Sequence, residues 1–251
     1  MRLAKFIATA GLASRRAAEQ IIRSGRVSVG SETVTDPARQ VDADSAVKLD
    51  GVPVSLAAQQ PVVYAVNKPA GVVSTAHDPH HRRTVVSLVE TPMRLYPVGR
   101  LDIDVTGLIL LTNDGDLAYR LTHPSFEVEK TYRVVVGGGP VLAGALRRLR
   151  GGVMLDDGMT APARVRRLAP DTIEIILHEG RKRQVKRMCE TVGHPVRQLV
   201  RVRFGPLALG DLAVGASRRL SDAEMALLRA AGGAGGARSA GGARSAGGAR
   251  T

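Results

Sequence analysis

The sequence contains no tryptophan, and aromatic residues make up only 3% of its 251 residues. Proteins that bind single-stranded nucleic acid without sequence preference stack the bases on several aromatic side chains. The scarcity of aromatic residues therefore argues against a stacking platform of this kind. We expect the chain to recognise its partner by charge and shape instead.

Cysteine is almost absent too, because Cys189 is the only one. An intramolecular disulfide is therefore impossible. A structural zinc site takes about four Cys or His ligands, and His194 is the nearest candidate to join Cys189. We therefore expect Cys189 to be a semi-buried thiol, and we expect no structural zinc site.

Long apolar runs are also missing. No stretch reaches the roughly 18 apolar residues of a membrane-spanning helix, and charged residues recur near the N-terminus, where a signal peptide would be apolar. The sequence therefore predicts a cytoplasmic protein that does not bind a membrane.

Acidic residues are fewer than basic residues. The chain has 23 Asp and Glu residues against 36 Lys and Arg, a formal net charge of +13, and 44% of its residues are hydrophobic. That apolar share is enough for a substantial core. A large positive charge favours association with a polyanion, and nucleic acid is the leading partner class.

Residues 1–60 have the pattern of a small separate domain. Apolar residues at helical spacing predict a first helix that Gly11 ends, and Ser14 is placed to cap a second helix that Gly25 ends. Short strands are predicted around the residues Val27, Val29, Val34, Val41, Val47 and Leu49. Basic residues in and next to the helical pair predict a surface that contacts phosphates. The alternative is that they only form a solvated helix face. These residues are Lys5, Arg15, Arg16, Arg23 and Arg26.

The order of these elements resembles the αL RNA-binding domain of a small-subunit ribosomal protein and several RNA-modifying enzymes. The matching residues are RLAKFIATAGLASRRAAEQIIRSGRVSVG, followed by a strand that ends in VKLDG. The resemblance implies that this region binds RNA.

Residues 62–229 are predicted to form the main domain, after a linker at Gln59, Gln60 and Pro61. VVYAVNKPAGVVST predicts a strand, a Pro-Gly turn and another strand. Further strands are predicted at Val134 to Val136, Thr172 to Leu177 and Gln198 to Val202, and helices at VLAGALRRLRGG and RQVKRMCETVG. Because no regular βαβ rhythm occurs, we expect an α+β domain with a mixed, mainly antiparallel sheet flanked by helices.

Residues 230–251 are predicted to be a disordered Gly/Ala/Arg tail. From Gly235 onward the tail repeats every six residues with small side chains and arginine, a composition that buries too little apolar surface to fold. Its arginines predict contact with RNA, and a linker-like appendage is the alternative.

The stretch GRLDIDVTGLILLTNDGDLA, Gly99 to Ala118, places four aspartates around a short apolar run. A metal site would need more oxygen ligands in a recognisable loop. A glycosidase pair of carboxylates would need sugar-binding aromatics, which are missing. A turn-forming role for Asp102 before a buried strand stays open on the pattern alone.

This stretch resembles the catalytic signature of the ribosomal RNA pseudouridine synthases that carry an N-terminal αL domain. Three more segments match the family in the same order: NKPAGVVST at Asn67 to Thr75, EKTYRV at Glu129 to Val134, and HEGRKRQVKRMCETVGHPVRQLVRVRFGPLALG at His178 to Gly210. Within the family, the basic tail is most similar to the B type, which modifies RNA of the large ribosomal subunit.

The resemblance implies roles for individual residues. Asp102 is implied to be the catalytic aspartate, Tyr132 the active-site aromatic residue, Lys186 the basic partner of Asp102, and Leu199 the apolar wall of the uracil pocket. Asp104 falls at a variable position. Further residues are implied or predicted to contact RNA: Lys68, Arg100, Arg181, Arg183 and Arg187.

The resemblance also implies the activity, which is isomerisation of a specific uridine to pseudouridine without a cofactor. The expected partner is ribosomal RNA or a pre-ribosomal particle, and the B-type similarity favours RNA of the large subunit (23S). A monomer is expected. Two alternatives stay open at this point: modification of small-subunit (16S) RNA, and a non-catalytic factor in ribosome assembly.

Overall fold

The computed structural model describes residues 1–56 and 60–234. Contacts within this part of the chain divide it into two compact units. The first unit is built from the stretches Met1–Val62, Thr91–Arg94 and Asn113–Gly115. The second is built from Val63–Glu90, Leu95–Thr112 and the chain from Asp116 onward.

Some sequence-based predictions concern residues that lie outside this description. They are Gln59 of the linker and the Arg-containing repeats from Gly235 onward. The order of the tail and its contact with RNA therefore stay predictions.

The first unit begins with the two predicted helices, α1 (Leu3–Thr9) and α2 (Arg15–Arg23). Ser14 caps α2 as expected, since its side-chain oxygen accepts a hydrogen bond of 3.1 Å from the backbone N–H of Ala17. Gly11 lies just after α1 with a φ of +81°, a conformation that glycine adopts without strain. The predicted helical pair is confirmed.

Four short strands complete this unit in the order β2-β1-β3-β4: β1 (Val27–Val29), β2 (Glu32–Thr33), β3 (Val47–Leu49) and β4 (Val52–Pro53). The prediction that Val34 and Val41 belong to strands is wrong. Both lie in connecting segments, yet both are buried in the same core as Leu3, Phe6 and Ile7. Their apolar character reflects burial rather than strand pairing.

From Val63 onward the described chain forms the strands β5 (Val63–Lys68), β6 (Tyr96–Val98), β7 (Thr106–Thr112), β8 (Lys130–Val136), β9 (Met154–Leu155), β10 (Gly158–Met159), β11 (Arg164–Ala169), β12 (Thr172–Leu177), β13 (Val196–Phe204), β14 (Leu207–Ala208) and β15 (Ser217–Arg219). Its helices are α3 (Gly115–Thr122), α4 (Ala143–Gly151), α5 (Gln184–Thr191) and α6 (Asp222–Ala234), with two 3-10 turns at Val85–Leu88 and Pro124–Phe126. None of the helices in these described stretches is long and apolar enough to cross a membrane.

Nine of these strands form one sheet with the order β11-β12-β8-β13-β7-β5-β15, to which β14 adds beside β13 and β6 beside β7. The pairing of β13 with β7 is parallel, at Val200 with Thr106 and Arg201 with Gly107. The other pairs of this sheet are antiparallel. The predicted α+β class with a mixed, mainly antiparallel sheet is confirmed.

Strand β7 lies in the middle of this sheet and is buried on both faces. The four residues Leu108 to Leu111 are fully buried, and alternate side chains of a strand point to opposite faces. Leu108 and Leu110 pack into a core that also contains residues of α3 and α6. The strand therefore gives a firm base to the loop before it, which carries Asp102.

Two further predictions for this region need correction. Only the first strand of VVYAVNKPAGVVST forms, because Val73 makes a single isolated bridge with Thr84. Helix α6 continues through Ala234, so the predicted boundary after residue 229 lies too early. Gly232 is buried, and a Cβ there would lie 3.0 Å from that of Arg120. Close packing against α3 thus keeps this glycine-rich end helical.

Candidate active site

A cleft of about 440 Å³ lies in the second unit, beside strands β8, β12 and β13. Its floor is formed by side chains from these strands, and its walls come from the segments 99–105 and 179–185. Three of the four predicted catalytic residues, Asp102, Tyr132 and Leu199, line the cleft. Lys186 does not.

The pairing of β8 with β13 builds the floor of the cleft. Tyr132 lies opposite Arg201 in this antiparallel pair, and Leu199 lies opposite Val134. Because side chains two residues apart share one face of a strand, Lys130 accompanies Tyr132 on β8, and Arg201 accompanies Leu199 on β13. A phenol, an apolar side chain and two cations therefore meet at one surface.

Asp102 lies in a loop whose backbone is held on both sides. Before it, the Ser74 hydroxyl donates to the carbonyl of Leu101 at 2.7 Å and accepts from its N–H at 3.1 Å. After it, the Gly71 N–H donates to the carbonyl of Ile103 at 2.8 Å. Segment 67–75, which the sequence analysis singled out only because it resembles a family motif, therefore holds the loop that carries Asp102 through these hydrogen bonds. We call this segment the clamp.

Lys68 strengthens this clamp, and the prediction that it contacts RNA is wrong. Its side chain is fully buried, and the ammonium group donates to the carbonyls of Pro69, Ile103 and Val105 at 2.9, 3.2 and 2.7 Å. Burial lowers the pKa of Lys68 to about 8, while the negative charges of Asp104 and Asp102 act in the opposite direction. Lys68 is therefore a structural cation that lies close enough to Asp102 to interact with its charge.

The predicted partnership of Lys186 with Asp102 is also wrong. The Lys186 ammonium donates to a carboxylate oxygen of Asp104, and this hydrogen bond lowers the pKa of Asp104. Helix α5 is positioned so that Lys186 reaches Asp104 rather than Asp102. The Asp104 side chain is 61% exposed and does not line the cleft. Asp104 is therefore more than a surface acid, and it is the residue through which Lys186 contacts the loop of Asp102.

Arg201 is a cleft residue that the sequence analysis missed. It is 2% exposed, and its Nε donates to the carbonyl of Leu108 at 2.6 Å. Its Nη2 is buried and has no hydrogen-bond partner within the described chain. Burial lowers the pKa of Arg201, and the Tyr132 hydroxyl beside it acts in the opposite direction.

Gly107 explains how Arg201 comes so close to β7. Its φ is +101°, and a Cβ at this position would lie 2.3 Å from the carbonyl oxygen of Arg201 and 2.8 Å from its nitrogen. Only a residue without a side chain permits this approach of the two parallel strands. The glycine of the T-G-L sequence after Asp102 is thus required by the backbone of β13.

Lys130 is the second cleft residue that was missed. It is 9% exposed, and its Nζ lies 5.9 Å from the centre of the Phe204 ring. Its pKa is lowered to about 8, mainly by burial and in smaller part by the positive charge of Arg201. Strand periodicity was the available signal, because Lys130 and Arg201 each lie two residues from a predicted site residue.

The segment from 179 to 187 contributes further basic residues, but they are not equivalent. Arg181 and Arg187 both form ion pairs with Asp157, and Arg181 also donates to backbone carbonyls of Gly158 and Met159 at 2.9 and 2.5 Å. Arg183 is exposed, lines the cleft and has a left-handed φ of +51° at the start of α5.

Arg100 resembles Arg183 in its placement, since it is exposed and lines the cleft from the opposite wall. These two arginines are free of ion pairs in the described ranges. They are therefore better placed for phosphate contact than the paired Arg181 and Arg187, and all four contacts with RNA stay predictions.

The basic residues predicted to bind RNA in the first unit are mostly exposed. Arg15 and Arg16 lie on the exposed first turn of α2. Arg26 forms a bidentate ion pair with Asp50, with distances of 2.9 and 2.5 Å. Arg23 lies 3.6 Å from Glu19, and Lys5 is half-buried. Their contacts with RNA stay predictions as well.

Cys189 is buried in α5, and burial raises the pKa of its thiol to about 12. A thiol of this kind is a poor nucleophile at neutral pH. Among residues 1–56 and 60–234, no three His, Cys, Asp or Glu side chains are grouped so that they could hold a metal ion.

Chemically, the cleft offers two carboxylates, those of Asp102 and Glu179, with one phenol and an apolar side chain above a floor with two cations. The Glu179 carboxylate accepts hydrogen bonds from the Ala161 N–H and from the side chains of Arg181 and Gln184. A carboxylate can act as a nucleophile or accept a proton, and a phenol can stack on a ring and exchange a proton. The side chain of Leu199 adds an apolar surface to the lining. Together these groups offer acid–base or nucleophilic chemistry beside an apolar surface.

Comparison with known families and proteins matches both parts of the chain. A family model described as RNA pseudouridylate synthase matches residues 62–191, and one described as S4 domain matches residues 1–47. A solved structure titled "Crystal structure of pseudouridylate synthase" is 31% identical, with a TM-score of 0.67, and the match covers 91% of this chain and 99% of that one.

Curated relatives are similar over nearly their full lengths. The chain is 42% identical to "Ribosomal large subunit pseudouridine synthase B" of Bacillus subtilis (strain 168), over 91% of this chain and 96% of the relative. It is 40% identical to "Ribosomal small subunit pseudouridine synthase A" of Escherichia coli (strain K12), over 90% and 99%. These matches confirm the resemblance that the sequence motifs indicated.

Proposed function

The chain belongs to the RNA pseudouridylate synthase family, and from this premise we propose that it converts one specific uridine of large-subunit (23S) ribosomal RNA to pseudouridine. The activity is that of an isomerase. The observation that carries the proposal is that Asp102 and Tyr132 line one cleft of a chain with a net charge of +13. The charge attracts the RNA, and the cleft performs the reaction.

The choice of the large subunit follows from similarity. The Bacillus subtilis relative, whose name gives the large subunit, is 42% identical. The second candidate substrate is 16S RNA, because the relative named for the small subunit is 40% identical over a comparable length. The S4 domain match at residues 1–47 supports an RNA substrate in both cases.

Asp102 is the catalytic residue in this proposal. The reaction breaks the bond between N1 of uracil and C1′ of the ribose, turns the base and joins C5 to C1′. A carboxylate serves this in either of two ways, by attack on C1′ or by accepting a proton from the sugar. The clamp formed by Ser74 and Lys68 holds the loop, so that the carboxylate is positioned before the RNA arrives.

Tyr132 and Leu199 bind the base. The target nucleotide must leave the stacked RNA before its glycosidic bond is accessible. Once flipped out, the uracil stacks on the Tyr132 ring and packs against Leu199, and the Tyr132 hydroxyl assists the loss of the C5 proton. Both side chains come from paired central strands, which keeps their spacing fixed.

Lys186 is a positioning residue, because it reaches the loop of Asp102 only through Asp104. Arg100 and Arg183 flank the cleft and contact the phosphates beside the flipped nucleotide. The exposed arginines of α2 add salt-sensitive affinity that does not depend on sequence.

The biological setting in this proposal is the cytoplasm, where the protein acts as a monomer on ribosomal RNA or on pre-ribosomal particles. The apolar content and the separate cores of the two units support a chain that folds without a partner. A non-catalytic role in assembly fits less well, because an enzyme-type cleft with Asp102 would then have no use.

The test is a map of pseudouridine in total ribosomal RNA by carbodiimide-dependent stops of reverse transcription. Cells that lack this protein are compared with cells complemented by the wild-type chain and by Asp102→Asn. We expect one 23S position to lose its signal in the deletion and to regain it only with the wild type. A lost signal in 16S RNA would favour the second substrate, and an unchanged map would refute the activity.

A further inference from the structure

Two buried cations, Lys130 and Arg201, line the floor of the cleft without a carboxylate partner. They are 9% and 2% exposed, and neither forms an ion pair within the described chain. By contrast, Lys186 is paired with Asp104 and Lys68 donates to three carbonyls, whereas Arg201 donates to one carbonyl, that of Leu108, and lies beside the Tyr132 hydroxyl. The proposed roles of Asp102, Tyr132 and Leu199 leave these two floor cations unexplained.

Both cations lie beside the same aromatic ring, that of Phe204. Lys130 lies opposite Phe204 in the β8 and β13 pair, and Arg201 lies opposite Tyr132. The Lys130 ammonium and the Arg201 guanidinium approach the Phe204 ring, at 5.9 and 5.1 Å from its centre. One guanidinium nitrogen, Nη2 of Arg201, is buried without a hydrogen-bond partner in the described part of the molecule.

This arrangement is costly for the protein without its substrate. Burying a charge is unfavourable unless it is paired, and a buried donor without an acceptor adds a further penalty. Burial lowers the pKa of Lys130, and the charge of Arg201 acts in the same direction, so the mutual repulsion of the two cations adds to this cost. A ligand with acceptor oxygens and developing negative charge would remove both penalties.

We propose that Lys130 and Arg201 bind the carbonyl oxygens of the flipped uracil and stabilise the negative charge that the base acquires when its glycosidic bond breaks. The inference rests on the proposed function, because it concerns the same reaction. A backbone phosphate is the less suitable occupant, since the exposed Arg100 and Arg183 at the walls are accessible to a strand. The two floor cations can contact only a group that enters the cleft, which in this proposal is the flipped uracil.

The charge balance of the step explains why such a site is useful. When the N1 to C1′ bond breaks, its electron pair remains with uracil and spreads from N1 onto O2 and O4. The sugar is compensated by a bond from the Asp102 carboxylate to C1′, or by loss of a proton to that carboxylate. After the base turns, its electron pair forms the C5 to C1′ bond. At this point the sugar is released from Asp102 in the first route, or takes its proton back from Asp102 in the second, and the C5 proton is then replaced by one at N1. Donors aimed at developing charge are among the strongest catalytic devices.

The test compares single-turnover rates at saturating RNA on two substrates, one with uridine and one with 5-fluorouridine at the target position. Fluorine withdraws electrons and stabilises the uracil anion, so breakage of its glycosidic bond depends less on the protein. We expect Lys130→Met to slow the uridine reaction by about a hundredfold or more, and the loss on 5-fluorouridine to be at least about tenfold smaller. Because the C5 fluorine cannot leave as the C5 proton does, chromatography of the digested nucleosides follows the formation of pseudouridine from uridine and the disappearance of 5-fluorouridine from the fluorinated substrate.

Several variants separate this role from a structural one. Lys130→Arg keeps the charge and should retain most of the rate, whereas Arg201→Lys should show the same substrate dependence as Lys130→Met. Arg166→Met removes an exposed cation of β11 and should leave both rates unchanged. The affinity for RNA and the thermal midpoint are measured for each variant. Should Lys130→Met fail to fold, Lys130→Gln takes its place with the same expectation.

The outcomes are distinct. A wild-type chain that converts no uridine in any ribosomal RNA refutes the proposed function. An active wild type whose Lys130 variants keep the full rate, or lose equal factors on both substrates, refutes the role of the floor cations and leaves the proposed function intact. A loss confined to RNA affinity would also refute it, since that result would assign Lys130 to phosphate binding.

Discussion

The two units of this molecule place their positive charges differently. In the first unit, the arginines of α2 and Arg26 are exposed, whether paired or not. In the second unit, four cations are almost completely buried: Lys68, Lys130, Lys186 and Arg201. A net charge of +13 counts both kinds alike, yet exposed and buried cations serve different purposes.

The physical cost explains this difference. An exposed cation stays hydrated and interacts weakly with its neighbours, so it attracts a polyanion at little expense to the fold. A buried cation costs several kcal/mol unless a partner compensates it. The ammonium of Lys68 is compensated by three carbonyls and that of Lys186 by Asp104. The comparison predicts that buried charges determine stability and rate, and that exposed ones determine affinity.

The largest effect on stability is expected where the buried region is packed most closely. Gly107→Ala introduces a Cβ at 2.3 Å from the carbonyl oxygen of Arg201, at a φ that alanine rarely adopts. We expect a loss of about 4 kcal/mol in the free energy of unfolding, because strain and overpacking add. Urea denaturation measures it. Gly144→Ala, where nothing lies within 4 Å of the new Cβ in α4, should be neutral or stabilising; equal losses in both variants would contradict the packing argument.

The next largest effect concerns the clamp. Lys68→Met leaves the carbonyls of Pro69, Ile103 and Val105 without their donor, which should cost about 3 kcal/mol of unfolding free energy. Lys182→Met removes an exposed lysine and should change stability by less than about 0.5 kcal/mol. Denaturant curves of the two variants give the comparison. A Lys68 variant as stable as the Lys182 variant would show that the buried ammonium does not hold the loop.

The motifs located cleft residues better than they located the partners of the charged side chains. Asp102, Tyr132 and Leu199 were found because each belongs to a quoted segment, and all three line the cleft. Lys68 was assigned to RNA because it matches a family residue near the RNA. Residue spacing along one strand does not reveal which tertiary neighbours cover a side chain. Burial comes from the long-range packing of β5 against β7.

The partner of Lys186 was misidentified for a related reason. Asp102 and Asp104 are two residues apart, and the choice between them depends on how α5 docks beside the loop. Helical periodicity predicts α5 but not its orientation against another element. A similar limit applies to Arg201: strand periodicity places its side chain on the same face as Leu199, but its position opposite Tyr132 and next to Gly107 depends on how β13 pairs with β8 and β7.

A smaller effect is expected in the first unit, where charge burial is not involved. Ser14→Ala removes the cap that accepts from the Ala17 N–H and should destabilise by about 1 kcal/mol. Thermal unfolding followed by circular dichroism measures the change. Ser14→Asp restores a capping acceptor and should recover most of the stability; failure of the aspartate to do so would show that capping is not the cause.

The smallest effect in free energy should come from the exposed arginines. Arg15→Gln together with Arg16→Gln should weaken RNA binding and reduce the slope of log affinity against log salt by at most about 2, since each neutralised phosphate contributes about 0.9. Binding is measured across a salt series. The affinity should fall far more than the saturated rate. An unchanged slope would mean that this face of α2 does not contact RNA.

The central claim is that Asp102, and not the neighbouring Asp104, performs the chemistry. The direct measurement is single-turnover formation of pseudouridine by Asp102→Asn and Asp104→Asn, each at saturating RNA and with its affinity determined separately. Asp102→Asn should form no measurable product while its affinity stays near that of the wild type. Asp104→Asn weakens one partly exposed ion pair and should lose less than about tenfold. Product formation by Asp102→Asn at a rate comparable to the wild type, or a complete loss confined to Asp104→Asn, would contradict the account.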